Sequence, residues 1–165
     1  MIVKAIGYSQ ADLVSLLQAL TNRMMTRAQV RVASQTDKLQ VSTFQHWIGD
    51  TYYNKAAADN INVSAMFTAT GASQFKKLRV EIDSAGAVTV KEGATAGAHE
   101  NAPVPKRTAN RCTIGWIQIP ASFTPGTTAF NAVGVTIFEG DPDLGDGAGV
   151  PPNDRGVEQT VYTSP

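Results

Sequence analysis

In the stretch FKKLRVEID, residues 75–83, Leu78, Val80 and Ile82 alternate with Lys77, Arg79, Glu81 and Asp83. A period of two sends alternate side chains to opposite faces of an extended strand, whereas a helix would scatter them around its circumference. The same alternation recurs after Arg27. Val30, Val32, Leu39 and Val41 flank the turn sequence SQTDK, and HWIGDTYYN places Gly49-Asp50 between two aromatic arms. INVSAMFTAT, VTVKE (entered from the turn SAGA), CTIGWIQI and AFNAVGVTIF follow. At least seven strand candidates at such spacing predict a mainly β fold, a β-sandwich or jelly-roll-like domain. The charged side of residues 77–83 is expected to be solvated, and His46 beside Trp47 is expected on a sheet surface.

Two segments depart from this pattern. Leu13, Leu16, Leu17, Leu20 and Met24 recur at three- and four-residue spacing, predicting one amphipathic helix from about Gln10 to Arg27. Ser9 stands at its N-cap position, with Asp12 three residues on. The apolar stripe either packs on the protein's own sheet or joins copies at a symmetry axis. It is too short to hold a coiled coil unaided. From Glu139 to Pro165 the chain is rich in Gly, Pro and Asp, and six acids there face one base, Arg155. With 14 bases and 14 acids in all, the net of −5 in that stretch leaves +5 on residues 1–138. The expected organisation is therefore a helical segment at 1–28, a β domain at 29–138 and an extended acidic arm at 139–165. Such an acidic arm can dock on a basic surface, the protein's own or a neighbour's, and Asp141, Asp143 and Asp146 are the candidates for contact with a neighbour.

The chemistry-bearing residues are sparse. His46 and His99 have no second histidine or cysteine at ligand spacing, so no zinc site is expected. Cys112, the single cysteine, excludes an intramolecular disulfide and reads as a small core residue. DPDLGDG, residues 141–147, fails the calcium-loop template, which needs an oxygen ligand where Gly145 stands and a Glu where Pro152 stands. Lys76, Lys77, Arg79, Lys106, Arg107 and Arg111 lack the interleaved aromatics of a nucleic-acid surface. A small hydrolase would need paired carboxylates, which either Glu81 and Asp83 on one strand face or the acids of the C-terminal stretch could offer. No cofactor, metal or catalytic residue is expected, and the chain does not read as an enzyme. No run approaches the roughly 18 apolar residues of a membrane span. MIVKAIGYSQ lacks the long apolar core of a signal peptide, so synthesis in a cytoplasm is expected.

TYYNKAAADNINVS (51–64), FKKLRVEIDSAGAVTV (75–90), CTIGWIQIP (112–120) and SFTPGTTAFNAVGVTIFEG (122–140) resemble, in this order, a family of tailed-bacteriophage virion surface proteins. Tyr53, Lys55, Ala56, Ala57, Asp59 and Asn60 carry the first motif, and Ile114 to Ile117 the third. The resemblance covers about residues 50–140. It implies a head decoration (cement) protein that binds the major capsid protein on the outer capsid surface and stabilises the shell. It also implies a homotrimer, made in the host cytoplasm and resident in the virion. Leu13, Leu16, Leu17, Leu20 and Met24 would then hold the trimer. A head-fibre or tail appendage for receptor or glycan attachment is the alternative, with Trp47, Tyr52, Tyr53 and Trp116 as sugar-stacking platforms. The family's motifs carry no catalytic residues.

Overall fold

The computed structural model of the protein describes Leu17, residues 20–141 and the backbone of 161–162. The upstream part of the expected helix, with Leu13 and Leu16, and the arm residues Asp143 and Asp146 lie outside the described residues. The chain is mainly β, and every strand pairing is antiparallel.

Strands β1 (Val30–Val32) and β2 (Leu39–Val41) form the hairpin around SQTDK, and β5 (Ala58–Ile61) lies beside β2. Strands β3 (Phe44–Ile48) and β4 (Thr51–Lys55) form a tight hairpin of their own. Its two-residue turn is Gly49-Asp50, and Gly49 takes φ 63°, a conformation glycine adopts without steric cost. The largest sheet contains β6 (Lys76–Ile82), β7 (Val88–Glu92), β8 (Cys112–Ile119), β9 (Thr136–Glu139) and β10 (Val161–Tyr162), in the order β10-β9-β8-β6-β7.

One core joins the three sheets. Val30, Leu39 and Val41 meet Phe44 and Ile48 of the hairpin and Leu78, Val80, Ile82, Ile117 and Ile137 of the large sheet. Beyond these, Phe67, Phe123 and Phe130 form a tilted aromatic cluster with centroids 5.6–6.3 Å apart. Thr70 ties that cluster to the sheet: its hydroxyl donates to Pro120 O at 2.7 Å and accepts from Phe123 N at 2.9 Å.

Four expectations are corrected. The charged side of β6 is not solvated, because Arg79 and Glu81 are buried under the 93–111 loop, which covers the second face of the large sheet. Neither is His46 on a surface; it is buried between Phe44 and Tyr53, with ring centroids 5.3 and 5.5 Å away. INVSAMFTAT is not a strand: β5 ends at Ile61, and Asn62 Oδ1 accepts from Ser64 N and Oγ, turning the chain into a 3-10 helix at Ser64–Met66. In AFNAVGVTIF, residues 130–134 form turns and a bend, Val133 is fully exposed, and the strand begins only at Thr136.

The N-terminal expectation is corrected at its end. Leu17, Leu20 and Thr21 have helical backbone, but the helix does not reach Arg27. Asn22 Oδ1 accepts from Gly49 N at 2.7 Å, and Met24 pairs with His46 as an antiparallel β-bridge. Met24 therefore belongs to the core of its own chain, unlike Leu17 and Leu20.

Candidate interaction surfaces

The residues that carry the sequence motifs hold turns and close approaches. Asp59 Oδ2 accepts from Ser34 Oγ at 2.7 Å, and Asn60 Oδ1 accepts from Gln35 N at 3.0 Å, so the pair clamps the β1–β2 turn. Lys55 donates to Gly86 O at 2.8 Å and secures the β6–β7 turn, where Gly86 has φ 80°. Gly115 lets β8 and β9 approach: a Cβ there would stand 2.6 Å from Phe138 O. In the threonine-rich segment, Thr127 N donates to Thr124 O across Pro125-Gly126, and Gly126 takes φ 74°, as a type II turn requires.

Beneath the 93–111 loop lies a buried ionic clasp. Arg79 donates to Pro105 O at 2.7 Å and to Thr113 Oγ1 at 3.1 Å, and its guanidinium is 3.4 Å from Asp141. Arg107 pairs with the same carboxylate and donates to Asn22 O at 3.2 Å. Nearby, Arg27 Nε meets the buried Glu139 at 2.6 Å. Asn22 and Arg27, which precede β1, are thus fastened to Glu139 and Asp141 at the end of β9. Asp141, expected in the neighbour-binding arm, is instead the buried root of that arm. Sequence reading missed Arg79 and Arg107 as its partners. The available signal was an arginine in the middle of the most regular strand, with its carboxylate 62 residues away.

A shallow cleft of about 590 Å³ runs along β7, lined by Met66, Glu81, Lys91, Glu92, Thr108 and Arg111 among others. Its carboxylates are engaged within the protein. Glu81 accepts from Thr108 N at 2.8 Å, and Glu92 accepts from Lys76 at 2.7 Å and Thr68 N at 2.9 Å. These bonds hold the Glu92 carboxyl below the usual range, the Lys76 contact first among them. Asp83 lies beyond the end of β6 and caps the β6–β7 turn by accepting from Ala85 N and Ala87 N. Cys112 is buried, and desolvation pushes its thiol up to about 12. Among the described residues, no group of three His, Cys, Asp or Glu converges as a metal site, and no helix is long and apolar enough to cross a membrane.

The aromatics separate. Trp116 is buried, stacked on Phe138 at 3.8 Å, with the Lys77 ammonium 5.4 Å from its ring. Tyr53 stacks on His46. Only Trp47 and Tyr52, paired edge-on at 6.0 Å across the β3–β4 hairpin, remain on an open face.

His46 itself makes a pH prediction. Neither ring nitrogen has a hydrogen-bond partner among the described residues. Burial first, and the Lys55 charge second, lower its pKa below 6.5. The unfolded chain therefore binds the proton more readily, so folding stability is complete above pH 6.5 and falls as the pH drops through that value. The loss levels off below the folded-state pKa. His99, lowered mainly by burial, adds to the slope with the same sign. Urea unfolding at pH 7.5 and 5.5 is expected to show this loss, reduced in His46→Leu; an unchanged slope in that variant would refute the assignment.

No known protein family, no curated protein and no solved structure matches this chain.

Proposed function

We propose that this protein is a structural component of a tailed-phage virion, a decoration protein that binds the major capsid protein on the outer surface of the head and stabilises the shell. The observation that carries the reading is the ordered set of four motif segments across residues 50–140, whose residues are spent on turns and strand contacts. Such a body acts by geometry, through repeated burial against neighbours, and without catalysis. Its sheets would wrap about the shared core as a sandwich, followed by the acidic arm. The protein would assemble as a homotrimer through the stripe that includes Leu17 and Leu20, while Asp143 and Asp146 reach a neighbouring molecule. Three linked weak contacts act at an effective concentration that reaches the millimolar range, giving avidity without one tight site. Synthesis in the host cytoplasm precedes incorporation into the particle.

Exposure of Tyr52 beside Trp47 favours one second reading, a head-fibre or tail appendage that binds a receptor or glycan. Quantitative mass spectrometry of purified virions separates the two. Copies in a simple ratio to the major capsid protein are expected for decoration. A few copies per particle would move the protein to the tail, and absence from particles would sink both readings.

A further inference from the structure

The open face of the β3–β4 hairpin is wider than two strands. Trp47 N donates to Arg23 O and Met25 N to Gln45 O, both at 2.8 Å, so residues 23–25 lie beside β3. The Met24–His46 bridge and the His46–Tyr53 pair place those three side chains on the inner face. By alternation, Arg23, Trp47 and Tyr52 form one row on the outer face, and Met25, Gln45 and Asn54 form the next. Asn22, just after Leu20, is fastened to the hairpin turn by accepting from Gly49 N. Met25, 50% exposed, and Tyr52, 47% exposed, lie on it, and Leu17 and Leu20, 62% and 48% exposed, precede Asn22 in the chain; these are four of the six large hydrophobic side chains left open among the described residues. Tryptophan, tyrosine and arginine together are the residue types that dominate the energetics of protein–protein interfaces.

We infer that this face receives the apolar helix stripe of a second copy of the chain, an inference that rests on the homo-oligomer reading above. The stripe is divided in use. Met24 packs into its own core, while Leu17 and Leu20 stay exposed. Sixteen residues precede Leu17 and carry the stripe onward through Leu13 and Leu16, about 24 Å of chain if helical. That length is sufficient to cross a neighbouring hairpin. Residues 1–22 carry one base, Lys4, and one acid, Asp12, so the segment is close to neutral and its fit to this face rests on the apolar stripe. Each copy then both gives a stripe and accepts one. The contact is heterologous, and a rotation of one third of a turn closes it into a ring.

The test uses the full chain in two differently tagged forms made together, one carrying Tyr52→Cys and the other Leu16→Cys. The native Cys112 is buried and its thiol stays protonated, so it is silent. A disulfide joining the two tags is expected. Light scattering should also show Tyr52→Glu weakening assembly at least about tenfold, with its unfolding curve close to that of the parent because Tyr52 is a surface residue. If no disulfide joins the two tags, the inference fails. It fails equally if Tyr52→Glu assembles normally, including the case where that variant instead loses binding to host polysaccharide; the trimer reading would survive. A parent protein that is monomeric at all concentrations would overturn the inference and the trimer reading together.

Discussion

Asp141→Ala is expected to destabilise the protein by about 3–5 kcal/mol, because it leaves two buried guanidinium groups facing each other without their shared carboxylate. Arg79 and Arg107 are both buried, so neither recovers its lost partner from bulk water. For a chain of this size the loss corresponds to a fall in Tm on the order of 10 °C. Asp141→Asn should lose nearly as much, since it keeps the shape and removes the charge. Replacing Arg79, Arg107 and Asp141 together by apolar residues of similar volume should recover most of the loss, because removing a whole buried ion cluster also removes its desolvation cost. Thermal unfolding of the three variants measures this directly. A Tm for Asp141→Ala within 2 °C of the parent would show that the clasp contributes little.

Gly115→Ala is the second large effect. The added methyl would fall 2.6 Å from Phe138 O and 3.4 Å from Val30 Cγ2, so β9 has to move away from β8. Overpacking of this kind costs about 1–3 kcal/mol, here at a buried position in the centre of the largest sheet. Gly97→Ala is the matched control, because nothing lies within 4 Å of its Cβ position. It should be neutral or slightly stabilising through the unfolded chain. Urea titration should show a lowered midpoint with an unchanged slope for the first and no loss for the second. Equal behaviour of the two would refute the steric argument.

Alternation predicted the hairpins well: the turns at SQTDK, Gly49-Asp50 and SAGA all stand where their glycine and polar residues indicated. Local signals suffice there, because a turn is decided by a few adjacent residues. The second face of β6 was not legible, since alternation separates two faces without saying what covers each. Arg79 and Glu81 are covered by a loop about 26 residues away in sequence, and that loop has no periodicity to announce its position. An extra residue in β8 hides the pattern further. Glu81 pairs with Thr113 and Val80 with Gly115, so Ile114 has no partner on β6 and the strand is buried along both faces. Helical spacing likewise carried the stripe too far. Met24 has the right interval from Leu20, but tertiary pairing with His46 takes it out of the helix.

The paired fastenings of Arg27 to Glu139 and of Arg107 to both Asn22 and Asp141 have a mechanical meaning. The segment before β1 is bonded at one spot to the end of β9. Tension applied through Asn22 and Asp141 would load these ion pairs together with the end of β9. A pull at that spot would therefore be shared between the buried clasp and the large sheet it is anchored to.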